Sequence, residues 1–585
     1  MAEKKAAIWA THHKSKNNKT EDLIVVKERI SDGDKEWSNV RLVKNYKRPY
    51  YITKEGCRDH KQKRDWEHLR NLDKFECTDS ELAVHALKNL GGFGSNGYAK
   101  LREVNQSPYL YGTDVTAPVL VREEYRTNWP GYNPKAKMGV LDFETDATDD
   151  RIDSTNPDLA RIITGAFTYG SKVYLAATRE WLGTISDPEK QIRKLLDEYI
   201  EQFKVDIFTQ MKQNLPKKEQ KAALAAAQGF IERAVDKLDF KFKICDDEYE
   251  VAKALMSAVH KESPDFLVFW NMLYDVKVMM NACYRARKDP STIFCDPRIP
   301  EEFRNFYLKE DQQIKTKSNG DTFSKDFIDL WHTVKAASGV YFVDAMAFYR
   351  LNRVMMGKLN SYALEAILKR ELGIGKLKFV EGGDLTMDEW HYFMQTQEKV
   401  KYMLYNIFDC WLVELLDEKT KDIKLSLPVY VGVSEIDSAN SNPKRLADDC
   451  YFFQAKKDKI IRSTSNEMAD EFDRRVLGTT GWIITLPSEL VTDTGRSFVE
   501  GIPDRLSRFS AHCGDIDLAS SYPTTGTICN VSPDTTRMEI YRIDGLTEAE
   551  QRRQGIDFVA CQTNAVQLSR AFYKLPTLDE ALALF

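Results

Sequence analysis

The sequence predicts an α/β chain, more fully a mixed α+β one, divided into several domains. Three observations lead there. Runs such as "MGVLDFETD" (138–146), "ARIITGAFTYGSKVYLAAT" (160–178) and "PDFLVFWN" (264–271) have the β-branched, apolar character of strands. Long stretches between them keep apolar residues at helical spacing. At 585 residues, the chain has length for about three to four domains.

The bulk numbers set the limits. Hydrophobic residues make up 42% of the chain, enough for sizeable cores, and 30% are charged, as in an ordinary water-exposed protein. The net charge of -5 does not announce a nucleic-acid binder, but a basic groove can sit opposite an acidic centre. The ten cysteines include no CxxC pair and read as reduced, mostly buried thiols. Cys57, His60 and His68 lie close in sequence but lack a fourth zinc ligand. The start, "MAEKKAAIWATHHKSKNNKT", has no signal-peptide core, and no apolar run reaches about 18 residues. A cytoplasmic protein without a membrane partner is expected.

Residues 1–137 read as a domain of short strands and turns. Its stretch "KNYKRPYYITKEGCRDHKQKR" interleaves cations with tyrosines, which suits nucleic acid or a solvated basic face. From Met138 the pattern changes to strand, then two strands about a Gly-Ser turn, then helices over 188–238. After the buried strand at 264–271 the chain reads as mostly helical to about 420, with loops near "TKSNGDTF". Strands followed by helices make 138–419 one α/β domain.

Four carboxylates in three places stand out. Asp142 and Glu144 in "LDFET" are two apart on a strand, so both side chains leave the same face while Phe143 packs behind. Like charges that close call for a cation, and carboxylates suit Mg²⁺ or Mn²⁺. Asp275 in "FWNMLYDVKVMM" follows a strand end, where it could also be a helix-capping or first-turn acid. In "KYMLYNIFDCWLVELL", Tyr405 and Asp409 are four apart on one face of an apolar helix. An acid there is costly to bury unpaired, and the tyrosine hydroxyl one turn away could hold a water.

Asp-x-Glu, Asn-x2-Tyr-Asp and Tyr-x3-Asp, in that order, resemble the motif set of DEDDy-type 3′–5′ exonucleases, as in the proofreading domain of B-family DNA polymerases. The resemblance implies an RNase H-like fold over 138–419. It also implies two metals, Mg²⁺ or Mn²⁺, held by Asp142, Glu144, Asp275 and Asp409, with Tyr405 orienting the attacking water.

The stretch "GDIDLASSYPTTGTICNVSPDT" (514–535) resembles the Asp-x2-Ser-Leu-Tyr-Pro motif of the B-family palm. Its tail "NVSPDT", with "SPYLYGTDV" (107–115) and "SYALEAILKRELGIGKLKF" (361–379), is similar to the T-even-like bacteriophage branch. By that resemblance Asp517 would bind both metals of a second, polymerising site, and the Leu518 carbonyl would ligate one of them. Ser520, Ser521 and Tyr522 would receive the triphosphate of an incoming dNTP, and Tyr522 would exclude a 2′-OH. Ser521 stands where the family has Leu, which removes packing beneath the nucleotide.

Two-metal nucleotidyl transfer needs at least two palm acids. The family's Tyr-Gly-Asp-Thr-Asp turn and the Lys-x3-Asn-Ser-x-Tyr-Gly fingers helix occur nowhere in this sequence. The expectation is therefore the N-terminal portion of a split replicative polymerase. Residues 1–137 would form an N-terminal domain completed by about 420–465, and 466–585 the first part of the palm. Its partners would be primer-template DNA, single-stranded 3′ ends, dNTPs and a C-terminal polypeptide with fingers, remaining palm and thumb. A sliding clamp would be reached through that polypeptide, in the cytoplasm of an infected bacterial host. The alternatives are a free-standing 3′–5′ exonuclease and a non-enzymatic nucleic-acid-binding repressor.

Overall fold

The computed structural model describes most of residues 3–462 and, beyond them, chiefly three short strands; 61–62, 65, 93–98, 149–155, 317–321, 380, 382–384, 427–431 and much of 442–458 fall outside the description. Contacts divide the chain into two compact units. One comprises Met1–Cys57, Asp65–Val104 and Tyr109–Arg462; the other comprises Arg58–Arg64, Asn105–Pro108 and Ser463–Phe585. Among the described residues no helix is long and apolar enough to cross a membrane.

The first unit opens on an antiparallel meander of β1 (Lys4–Lys14), β2 (Asp22–Ser31) and β3 (Glu36–Lys44). These strands are longer than the short ones expected. In the central strand, β2, nine of the ten residues are buried, including Lys27 and Arg29. A buried cation must be paired. The Lys27 ammonium donates to the Ser263 carbonyl at 2.7 Å and the Gly339 carbonyl at 3.0 Å, and Arg29 pairs with Asp265. Then come β4 (Arg48–Thr53), β5 (Trp66–His68), β6 (Leu72–Cys77), α1 (Leu82–Asn89), α2 (Leu101–Val104), β7 (Leu110–Tyr111) and α3 (Ala117–Asn128). β4 pairs with both β6 and β7, which buries Tyr50 and Tyr51. Arg48 is buried too, held by Asp79 at 2.8 Å and the Gly112 carbonyl at 2.6 Å. These members of the basic-aromatic stretch are therefore core, not a nucleic-acid surface.

A six-stranded sheet follows. Its strands are β8 (Met138–Thr145), β9 (Ile162–Tyr169), β10 (Lys172–Thr178), β11 (Asp239–Cys245), β12 (Phe266–Phe269) and, later in the chain, β17 (Tyr341–Asp344). The order is β11-β10-β9-β8-β12-β17. β9 is antiparallel to both its neighbours, and the other pairs are parallel. β8 is thus central, and Phe143 on it packs over Gly165, where an added Cβ would meet the ring at 2.5 Å. The chain between β10 and β12 supplies α4 (Arg179–Leu182), α5 (Pro188–Asn214), α6 (Lys217–Phe230) and α7 (Glu248–Glu262). α5 and α7 start on aspartate caps, Asp187 and Asp247, whose carboxylates accept first-turn amides.

After β12 come α8 (Met272–Arg285) and α9 (Ser291–Phe294), then the paired strands β13 (Phe306–Lys309) with β16 (Thr333–Ala336) and β14 (Ile314–Thr316) with β15 (Thr322–Ser324). The expectation of mostly helix here is corrected. These strands are three or four residues long, too short for a period of two to register. Helices resume with α10 (Ala345–Leu351), α11 (Leu364–Leu372), α12 (Met387–Gln397) and α13 (Lys399–Thr420). α13 is buried on all sides from Tyr402 to Asp417, as befits a helix that is apolar nearly all round. Finally β18 (Ile460–Arg462) returns to pair with β5.

In the second unit β19 (Thr536–Met538), β20 (Asp557–Ala560) and β21 (Asn564–Gln567) form an antiparallel sheet. Asp517, Leu518, Ser520, Ser521 and Tyr522 lie outside the described residues.

Candidate metal centre

Asp142 and Glu144 leave the same face of β8 near its C-terminal end, as the strand period requires. That face meets α13, whose residues at spacing 0, 3, 4 and 7, Tyr402, Tyr405, Asn406 and Asp409, form one stripe. Two of these hold the strand acids directly. The Tyr402 hydroxyl donates to Glu144 Oε2 at 2.6 Å, and Asn406 Nδ2 donates to Asp142 Oδ2 at 2.6 Å. A third, Asp409, adds its own carboxylate. One ligand oxygen each from Asp142, Glu144 and Asp409 lies within 4.8 Å of the others, a group able to hold a metal ion.

Asp275 stands apart from that trio but against the same strand. β8 pairs with β12 only through Val140, and beyond that point Asp275 Oδ1 accepts the amide of Phe143 at 3.3 Å. The residue sits in the first turn of α8, after Asn271, which holds a positive φ of 118° at the N-cap. Such a conformation in a non-glycine residue is uncommon and concentrates at functional turns. Within the same motif, the Tyr274 hydroxyl meets Thr145 Oγ1 at 2.9 Å, tying α8 to the end of β8.

The electrostatics follow from crowding. Burial, then the charges of Glu144 and Asp409, push the Asp142 carboxyl well above its ordinary range. Burial and Asp142 do the same to Asp275. Burial and Asp409 lift Glu144 to about 7. One ammonium partly offsets these charges. Lys376, on the turn after α11, donates to Asp409 Oδ2 at 2.6 Å and to the Tyr405 hydroxyl at 2.8 Å. Asp409 Oδ1 is buried with no hydrogen-bond partner among the described residues. An acid-rich, oxygen-only set with an orphaned oxygen fits a hard divalent cation.

Five supporting residues escaped the sequence reading: Lys376, His391, Gln395, Tyr402 and Asn406. Tyr402 and Asn406 were within reach, since they share the face of Tyr405 and Asp409 at helical spacing. Gln395 Nε2 donates to the Tyr402 hydroxyl at 3.0 Å and to the Thr145 carbonyl at 2.8 Å. His391 Nδ1 lies 2.8 Å from the same hydroxyl. Burial, then the Lys376 charge, pushes His391 down to about 4, so the ring is neutral at ordinary pH. Nothing local marks Lys376, His391 or Gln395; only the tertiary fold brings them in. No protein-family model matches the chain, and no curated protein matches it either.

Proposed function

We propose that this chain hydrolyses DNA from its 3′ ends with the help of divalent cations, in an RNase H-like domain. We further propose that it is the N-terminal portion of a B-family replicative DNA polymerase similar to those of T-even-like bacteriophages. The observation that carries the nuclease reading is the convergence of Asp142, Glu144 and Asp409 on one point. Asp275 is hydrogen-bonded to the intervening strand residue, and Tyr405 lies on the face of Asp409. The sheet supports the fold, with its second strand reversed and its first, motif-bearing strand at the centre.

Asp142, Glu144, Asp275 and Asp409 would hold Mg²⁺ or Mn²⁺. Two such ions, when bound, supply an activated hydroxide and stabilise the leaving oxygen of an in-line displacement. The chain's own groups do the rest. Tyr402 and Asn406 each engage one oxygen of Glu144 and Asp142, which fixes the carboxylate planes and leaves the other oxygens for cations. Lys376 can only donate, so the Tyr405 hydroxyl accepts from it and keeps its own proton to orient a water or a carboxylate. The wall of Trp390, Tyr402 and Tyr405 rings, with Trp390 edge-on to Tyr405 at 5.1 Å, limits water on that side.

The polymerase part rests on "DLASSYP" and its resemblance, with Asp517 as metal ligand and Tyr522 as steric guard. Synthesis would require the remaining palm acids and the fingers lysine, which these 585 residues do not carry. The decisive experiment incubates the chain with a 5′-labelled single-stranded oligonucleotide and Mg²⁺. Stepwise shortening from the 3′ end, faster than on duplex, is expected; internal cutting or no cutting would refute the reading. In a polymerase that also carries those groups, Asp517→Ala should abolish synthesis and spare 3′ hydrolysis.

A further inference from the structure

The turn that carries Lys376 is bound to the fold in a particular way. α11 ends at Gly373 in the left-handed region, φ 67°, and an added Cβ there would meet Leu215 at 2.9 Å. Asn214, at the end of α5, donates to the Gly373 carbonyl at 2.7 Å. Past Gly373 the turn borders a cavity of about 570 Å³ lined by Tyr199, Phe203, Glu365 and Phe408 among others, so packing alone does not set its position. Glu365 does. From the first turn of α11 its Oε2 accepts the backbone amide of Lys376 at 2.5 Å. The same carboxylate lies against Gly375, where a Cβ would come within 2.9 Å of Oε1. Its other partners are Lys369 at 2.8 Å and Lys378 at 3.8 Å, both on the outer side with half or more of their side chains exposed. Burial, opposed by the bonds from Lys369 and the Lys376 amide, leaves the Glu365 carboxyl below its usual value, so it is ionised.

We infer that Glu365 is a positioning residue: it clamps the Gly373–Lys376 turn so that the Lys376 ammonium is delivered to Tyr405 and Asp409. The inference deepens the nuclease reading and rests on it for its effect on rate, but its effect on the metal centre can be read separately. An ammonium held against Asp409 repels an incoming dication while it orients the carboxylate and the tyrosine. Release of the clamp should therefore slow hydrolysis and yet tighten the binding of metal. Ordinary damage to the fold would slow the one and weaken the other.

The test uses the full chain and four single variants: Glu365→Ala, Glu365→Gln, Lys376→Met and Gly375→Ala, the last pushing the carboxylate away from the turn. Electron paramagnetic resonance measures Mn²⁺ binding, and single-turnover shortening of an oligonucleotide measures rate. Lys376→Met should tighten Mn²⁺ binding by about tenfold, from the repulsion removed. Glu365→Ala and Gly375→Ala should move it in the same direction. Glu365→Ala should lower the rate constant by about 10- to 100-fold, the usual cost of an outer supporting bond, with KM for DNA unchanged. Glu365→Gln, whose amide oxygen still accepts from the Lys376 backbone, should retain most of the rate. Adding Glu365→Ala to Lys376→Met should cost nothing more. Weaker or unchanged Mn²⁺ binding in Glu365→Ala, or fully additive losses in the double variant, would overturn the inference. If the parent chain shortened no DNA, the nuclease reading would fall while the Mn²⁺ comparison still decided the clamp.

Discussion

Strands β8 and β12 run parallel, and their two ends are furnished with the same chemical groups in opposite proportion. At the N-terminal ends, Asp265 has no exposure and meets the Arg29 guanidinium, with Lys27 close by. The Lys137 amide donates to the same carboxylate at 2.7 Å, and the Trp9 indole donates to the Asp265 carbonyl at 2.8 Å. At the C-terminal ends, Asp142, Glu144 and Asp409 share the ammonium of Lys376, and Asp275 adds a fourth carboxylate beside Asp142. One buried acid between two buried cations, with the half-exposed Glu36 on the outer side of Arg29, is a fastener that locks β2 onto the sheet. Four acids around one cation are a deficit that only an added positive charge makes good. The deficit lies outside the carboxyl ends of the strands, where open α/β sheets bind their ligands.

If the contrast is sound, substitutions at the two ends should fail differently. The largest effect belongs to Asp142→Ala with Glu144→Ala. Hydrolysis should fall by about 10³-fold or more, roughly 4 kcal/mol of lost barrier lowering. The metal-free melting temperature should not fall, because crowded acids have been removed. A double variant with near-parental activity would end the site assignment. Asp265→Ala should do the reverse, costing about 1–3 kcal/mol in urea unfolding by leaving the buried Arg29 to the half-exposed Glu36, at 3.0 Å, while turnover per folded molecule is unchanged. Stability equal to the parent's would show that the fastener is ornamental.

A smaller effect sharpens the roles within the acidic end. Tyr405→Phe should slow hydrolysis by about tenfold and Asp409→Ala by far more, because a hydroxyl orients and a carboxylate ligates. Equal losses with metal binding intact in both variants would contradict that division. The smallest effect is on melting temperature. Glu144, raised to about 7 by burial and Asp409, keeps a proton in the metal-free fold that the unfolded chain has already lost. Its contribution to stability is complete below the ordinary carboxylate value and disappears as pH rises through about 7. Mg²⁺ requires the deprotonated acid, so it should raise the melting temperature more at about pH 8 than at about pH 5. In Asp265→Ala the Mg²⁺ increment should persist; equal increments at the two pH values would point to binding elsewhere.

What could be read before folding depended on range. Asp142 with Glu144, and Tyr405 with Asp409, were legible because strand and helix periods alone put each pair on one face. The central strands were legible for the same reason, being apolar on both sides. The cations were not. Lys27, Arg29 and Lys376 look in the sequence like any other surface charge, and their partners Ser263, Asp265 and Asp409, 33 to 236 positions away, give them a role. The small hairpins between β12 and β17 were missed because three or four residues carry too little pattern. For the mixed α/β class itself, the agreement rests on the long elements.

The hydrogen bond from Asn406 to Asp142 joins residues 264 positions apart. Acids at 142, 275 and 409 can meet only when nearly all of the sheet and its last long helix are in place. Closure over such distances is slow, since the loop entropy is lost before the contacts repay it. During synthesis, at about 5–20 residues per second, the chain would spend many seconds with β8 made and α13 not yet formed. Throughout that interval the strand acids lack Asp409 and the α13 side chains that hold them, so under the proposed reading a nascent chain would cut no nucleic acid before this domain is whole.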